Sequence, residues 1–126
     1  MLIDPAAERT MLETLRGSLG VTGRGPWLRL LAEVLSLGGP HVEFLRHRER
    51  PWSSATFSGS RHRVAMAFNG AEAVRHGERL IALLPDHEFT IPGQLVADAT
   101  ISSVEHQNSP EPRMTVEAEL LLLEDC

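Results

Sequence analysis

The chain has 126 residues, 42% of them hydrophobic, and 12 basic against 17 acidic side chains give a formal net charge of −5. A chain of this length buries roughly two-thirds of its unfolded surface, so one domain can form a core without disulfide or metal. The acidic balance excludes a surface that seeks nucleic acid all round. Every basic residue is arginine and there is no tyrosine, which removes Schiff-base lysines, a phosphate-loop lysine and tyrosine acids from the mechanisms available. The one cysteine, Cys126, permits no intrachain disulfide. The opening Met-Leu-Ile-Asp-Pro has neither the basic start nor the apolar core of a signal peptide, and no apolar run reaches membrane-spanning length, so the expectation is a soluble cytoplasmic protein.

In chain order, Asp4 and Pro5 open a predicted helix with Ala7, Met11, Leu12 and Leu15 on one face, ended by Gly17 and Gly20. The glycine-rich "GVTGRGP" that follows has no Gly-Lys-Ser/Thr and makes a poor phosphate cradle. Pro26 opens a second helix with an apolar stripe of Trp27, Leu28, Leu31, Val34 and Leu35, closed by Gly38-Gly39-Pro40. The two helices form an arm over 1–40 that must pack on the rest of the chain or on another subunit, which makes Trp27 and Leu31 candidate contact residues.

Beyond Gly39 the apolar period shifts toward two. Strands are predicted over His41–His47 and Trp52–Ser58, separated by Pro51, and over Arg61–Phe68 after a Gly59-Ser60 hairpin turn. Alternation turns His62, Val64, Met66 and Phe68 inward and Arg61 and Arg63 outward. Asn69, with Glu72 three residues on, caps a helix running to Leu84, where Pro85 stops it. Two long strands, Gln94–His106 and Arg113–Glu124, flank the turn "QNSPEP". The expected fold is a single α+β domain over 1–126: two N-terminal helices, then βββ-α-ββ, forming a mainly antiparallel sheet with helices packed on one face.

Charge is unevenly spread. Arg46, Arg48, Arg50, Arg61 and Arg63 fall within eighteen residues that hold one acid, Glu49, whereas nine acids follow from Asp86 onward against Arg113 alone. Arg61 and Arg63 are expected either to pair across strands with Glu117, Glu119 and Asp98, or to join Arg46, Arg48 and Arg50 in a patch for a phosphate or carboxylate, with Arg48, Arg61 and Arg63 as its first candidate ligands. His62 is a core-edge imidazole that needs a hydrogen-bond partner. Asp86, His87 and Glu88 are the local group best placed for acid–base work, in a loop at a helix end. The six histidines show no metal-ligand spacing, so no metal and no cofactor is expected.

Leu121 and Leu123 break the polar alternation of the last strand and mark an apolar outer edge for a subunit contact. The absence of catalytic motifs favours a small non-enzymatic protein acting through self-association or a protein partner. The alternative is a binder of, or enzyme for, an anionic or acyl ligand, with a cleft between the 70–84 helix and the sheet. The order of helix, "IPG" and two long strands is similar to part of the hot-dog thioesterases and dehydratases, although the chain after the helix is short for that fold. Nucleic acid is a less favoured partner, because few aromatics are available for stacking.

Overall fold

The computed structural model describes residues 25–124. The helix expected over 4–15, the "GVTG" part of the loop after it and Cys126 lie outside the described residues. Helix α1 spans Gly25–Leu37 and strand β1 Glu43–Ser53; β2 follows over Ser58–Asn69 and α2 over Ala71–Leu83. A short 3-10 turn, Leu84–Asp86, leads to β3, Gln94–Gln107, and β4, Arg113–Glu124. The four strands form one antiparallel sheet in the order β1-β2-β4-β3. The architecture is α+β, with four strands where five were expected.

The difference lies in the first hairpin. Residues 41–58 do not form two strands parted by Pro51; β1 runs straight through the proline, which pairs with Ser60. The turn is instead Ser54-Ala55-Thr56-Phe57, closed by the Ser54 N–H donating to the Phe57 carbonyl at 2.8 Å. The Ser54 hydroxyl also accepts from the Thr56 and Phe57 N–H groups at 3.3 and 3.1 Å, a side-chain substitute for turn bonding that a glycine signal does not reveal. Counting back from the bonded 54–57 pair, Pro51–Ser60 falls on a non-bonded position, so the proline nitrogen faces the open edge of β1 and costs no ladder bond. Gly59 is not a turn residue but an interior residue of β2, where a Cβ would lie 2.0 Å from the Leu122 carbonyl oxygen.

The inner strands β2 and β4 carry the apolar alternation and the edges β1 and β3 are polar, which places the core on one face. Val64, Met66 and Phe68 of β2 and Met114, Val116, Ala118, Leu120 and Leu122 of β4 are buried there with His62. Helix α1 covers them with Trp27, Leu30, Leu31, Val34 and Leu35, and α2 with Ala73, Val74 and Leu80. Each fully buried large side chain contributes about 1.5–3 kcal/mol relative to exposure. Trp27 and Leu31, expected as contact residues, are thus consumed by the core of their own chain. The α2 start also differs. Gly70, at φ 94°, sits at the cap position without a side-chain bond, while the Asn69 side chain is turned to Glu43 and Arg113.

No described helix is long and apolar enough to cross a membrane.

Candidate functional site

Among the described residues no helix packs on the second face of the sheet. Strand register orders its side chains into rungs that run across all four strands. Nearest the first hairpin is Trp52–Gly59–Leu123–Leu95; next comes Arg50–Arg61–Leu121–Asp98, then Arg48–Arg63–Glu119–Thr100, then Arg46–Ala65–Glu117–Ser103. One rung is therefore apolar and the next three are charged. On these three rungs the arginines stand on β1 and β2, and the acids are Glu119 and Glu117 on β4 and Asp98 on β3.

Two rungs set arginine directly beside arginine, Arg50 next to Arg61 and Arg48 next to Arg63. Like charges in directly opposed positions destabilise a sheet. Partial relief comes from β4: Arg61 lies 3.5 Å from Glu119, Arg63 lies 3.8 Å from Glu117 and 3.9 Å from Glu119, and Arg46 lies 3.4 Å from Glu117. Each distance is longer than the 2.7–2.9 Å of a tight guanidinium–carboxylate bond, so the forks keep donors to offer. Arg48 and Arg50 make no ion pair among the described residues. Asp98, expected as a further partner of Arg61 or Arg63, makes none either.

Arg48, Arg50, Arg61 and Arg63, with Glu49 and Glu119, line a concavity of about 440 Å³. Four of the five arginines expected in an anion patch are thus brought together around it, and Arg46 is not among its lining residues. His62 is not with them. The alternation that points the arginines out points His62 into the core, where it is 0% exposed.

There His62 forms a chain of polar side chains. Its Nε2 lies 2.7 Å from the Ser60 hydroxyl and its Nδ1 lies 2.9 Å from Nε2 of His47, whose ring stacks on Trp27 at 4.3 Å and 5°. Burial pushes the His62 imidazole down to about 4; His47 is pushed to about 4 by burial first and by His62 second, against a small opposite pull from Glu49. Both rings are neutral at pH 7, and the chain is self-consistent: Ser60 donates to His62 Nε2 while His62 Nδ1–H donates to His47, or the whole sequence runs the other way. The hydroxyl–imidazole–imidazole order is that of an activated nucleophile with its base and orienting group. However, β2 is an inner strand whose backbone N–H groups are taken by β1 and β4, leaving no donor pair for an oxyanion. The arrangement satisfies buried polar groups.

The "PDHEF" loop is latched rather than convergent. His87 Nε2 lies 3.5 Å from Glu33 Oε2 on α1, the Thr90 N–H donates to Glu33 Oε1 at 3.3 Å, and Phe89 meets the His87 ring edge-on. Asp86 and Glu88 are exposed and share no target with His87. The expected cleft between α2 and the sheet is closed. At Gly77 a Cβ would sit 2.4 Å from Met114 and 2.8 Å from Phe68, so the helix lies on the sheet with no room for a ligand. Among the described residues no cluster of three or more His, Cys, Asp or Glu is disposed to hold a metal.

Leu121 is half-buried, Leu123 is 9% exposed and Leu95 is 61% exposed. Of the apolar outer edge expected from Leu121 and Leu123, Leu95 is the more accessible part. Sequence alternation missed it because the bulge between Val96 and Asp98 shifts the phase of β3 relative to the residues that follow.

No family model matches this chain, and no curated protein sequence matches it. Its coordinates are similar to the crystal structure of the type 4 fimbrial biogenesis protein PilO from Pseudomonas aeruginosa, at 14% identity and a TM-score of 0.37 over 95% of this chain and 82% of that one. That likeness is too slight to fix fold or activity.

Proposed function

We propose that this protein is a non-enzymatic association domain that captures an anionic partner on the outer face of its sheet, through Arg48, Arg50, Arg61 and Arg63. The observation that carries the reading is the pair of opposed arginine rungs around one concavity. A fold gains nothing from setting guanidinium groups side by side, and the two acids within reach hold them loosely. An incoming carboxylate or phosphate would relieve that repulsion and occupy donors the fold leaves spare. Trp52 and Leu95, one rung away, add the apolar contact that aromatic and arginine residues supply at interface centres.

Calorimetric titration with polyglutamate and with tripolyphosphate at low ionic strength tests this. Binding that weakens with added salt and is lost in an Arg48→Ala, Arg61→Ala variant supports it; absence of binding to both probes overturns it. Tighter binding to single-stranded DNA than to polyglutamate would transfer the face to nucleic acid.

A further inference from the structure

Resting on that reading, the geometry points to a second copy of this chain as the anionic partner, stacked sheet to sheet. The outer face is self-complementary. Its arginines, on β1 and β2, and its acids Asp98, Glu117 and Glu119, on β3 and β4, lie on opposite sides of a line that runs along the strands between β2 and β4. A twofold axis along that line lays β1 over the partner's β3 and β2 over the partner's β4, and it keeps each rung on its own level. Arg50 then faces the partner's Asp98, and Arg63 faces the partner's Glu119. On the apolar rung Trp52 faces the partner's Leu95. Each of these contacts occurs twice, as an isologous interface requires.

The complementarity is confined to the hairpin half of the face. At the far rung, Glu43–Ala67–Thr115–Glu105, the same axis would set Glu43 against the partner's Glu105. Four strands about 4.8 Å apart and four rungs about 6.7 Å apart cover some 500 Å² per copy, or about 1,000 Å² in all. That is the lower limit for a specific interface. The dimer is therefore weak and dependent on concentration and salt, and polyglutamate competes with it.

Sedimentation velocity of the full chain, over roughly a thousandfold range of concentration and at low and high salt, tests this. The wild type is expected in a monomer–dimer equilibrium that salt shifts to monomer. Arg50→Asp and Asp98→Arg should each weaken the dimer about tenfold or more, and the two together, which swap the pair, should restore it. Both side chains are exposed, so neither change threatens the fold. A strict monomer throughout, a dimer insensitive to both single changes, or a swap that fails to restore association overturns the proposal. The Asp98→Arg variant separates this from the wider reading, because it loses the dimer while keeping the arginines that bind polyglutamate. A monomeric wild type that still binds polyglutamate sinks the second copy and leaves the anionic partner standing.

Discussion

His62 Nδ1 lies 2.9 Å from His47 Nε2 across the β1–β2 hairpin, so two imidazoles fifteen residues apart in sequence satisfy one another inside the domain. Among the described residues neither ring forms an ion pair with a carboxylate, and burial outweighs the pull of Glu49 on His47 and keeps both neutral.

Protonation of these rings is therefore expected to destabilise the fold in acid. Their folded pKa of about 4 lies below the unfolded 6.5, so between those values the unfolded chain binds more protons and stability falls as pH falls. Above about pH 8 the rings contribute almost no slope. For His62 the full loss by pH 4 is about 3 kcal/mol. Urea midpoints taken from pH 7.5 to 5 should fall steadily, and His62→Gln should flatten that part of the curve.

Two glycines differ in what surrounds them. A Cβ at Gly59 would strike the Leu122 carbonyl, a backbone atom of the neighbouring strand, whereas at Gly77 it would strike the end of Met114 and the Phe68 ring. The Met114 methyl can turn aside, and alanine returns about 1 kcal/mol of helix propensity at Gly77. Gly77→Ala is expected to cost about 1 kcal/mol and Gly59→Ala about 2–3 kcal/mol. Chemical denaturation of the two variants gives the order, and the opposite order would show that the strand, not the helix, is the yielding element.

Pro51 guards an edge rather than a turn. Because its nitrogen faces away from β2, Pro51→Thr should change stability by no more than about 0.5 kcal/mol. It gives β1 a free N–H toward solvent, and the expected outcome is more edge-to-edge association. Light scattering on heating should rise in the variant; a loss of stability of several kcal/mol would place the proline inside the ladder.

Glu119 is the main internal counter-ion of the arginine rungs, near both Arg61 and Arg63. Glu119→Gln should lower stability by less than about 1 kcal/mol, since the pairs are long and partly exposed. It leaves the guanidinium groups facing one another, so added phosphate or salt should raise the melting temperature of the variant more than that of the wild type. Equal responses would show that the rungs repel too weakly to matter.

Several of these features were legible in the sequence. The period-two runs of Arg61–Phe68 and Arg113–Leu122 identified β2, β4 and their inward faces, and the stripe from Trp27 to Leu35 identified α1, because alternation and helical spacing are local properties. The separation of His62 from Arg61 and Arg63 followed from the same rule. What misled was Pro51 and Gly59: both read as breakers, yet one tolerates its place because β1 is an edge, and the other is required because the Leu122 backbone crosses it. Neither fact exists until strand order is known.

By itself, then, the sequence determined the α+β class, the inward faces of β2 and β4 and the outward arginines, all of which depend on residues a few positions apart. Tertiary structure alone decided that β4 lies between β2 and β3, that Arg48 stands beside Arg63 and Glu119, and that His47 meets His62. These depend on strand order and register, which are set by how the two hairpins share one core and which no short-range pattern encodes.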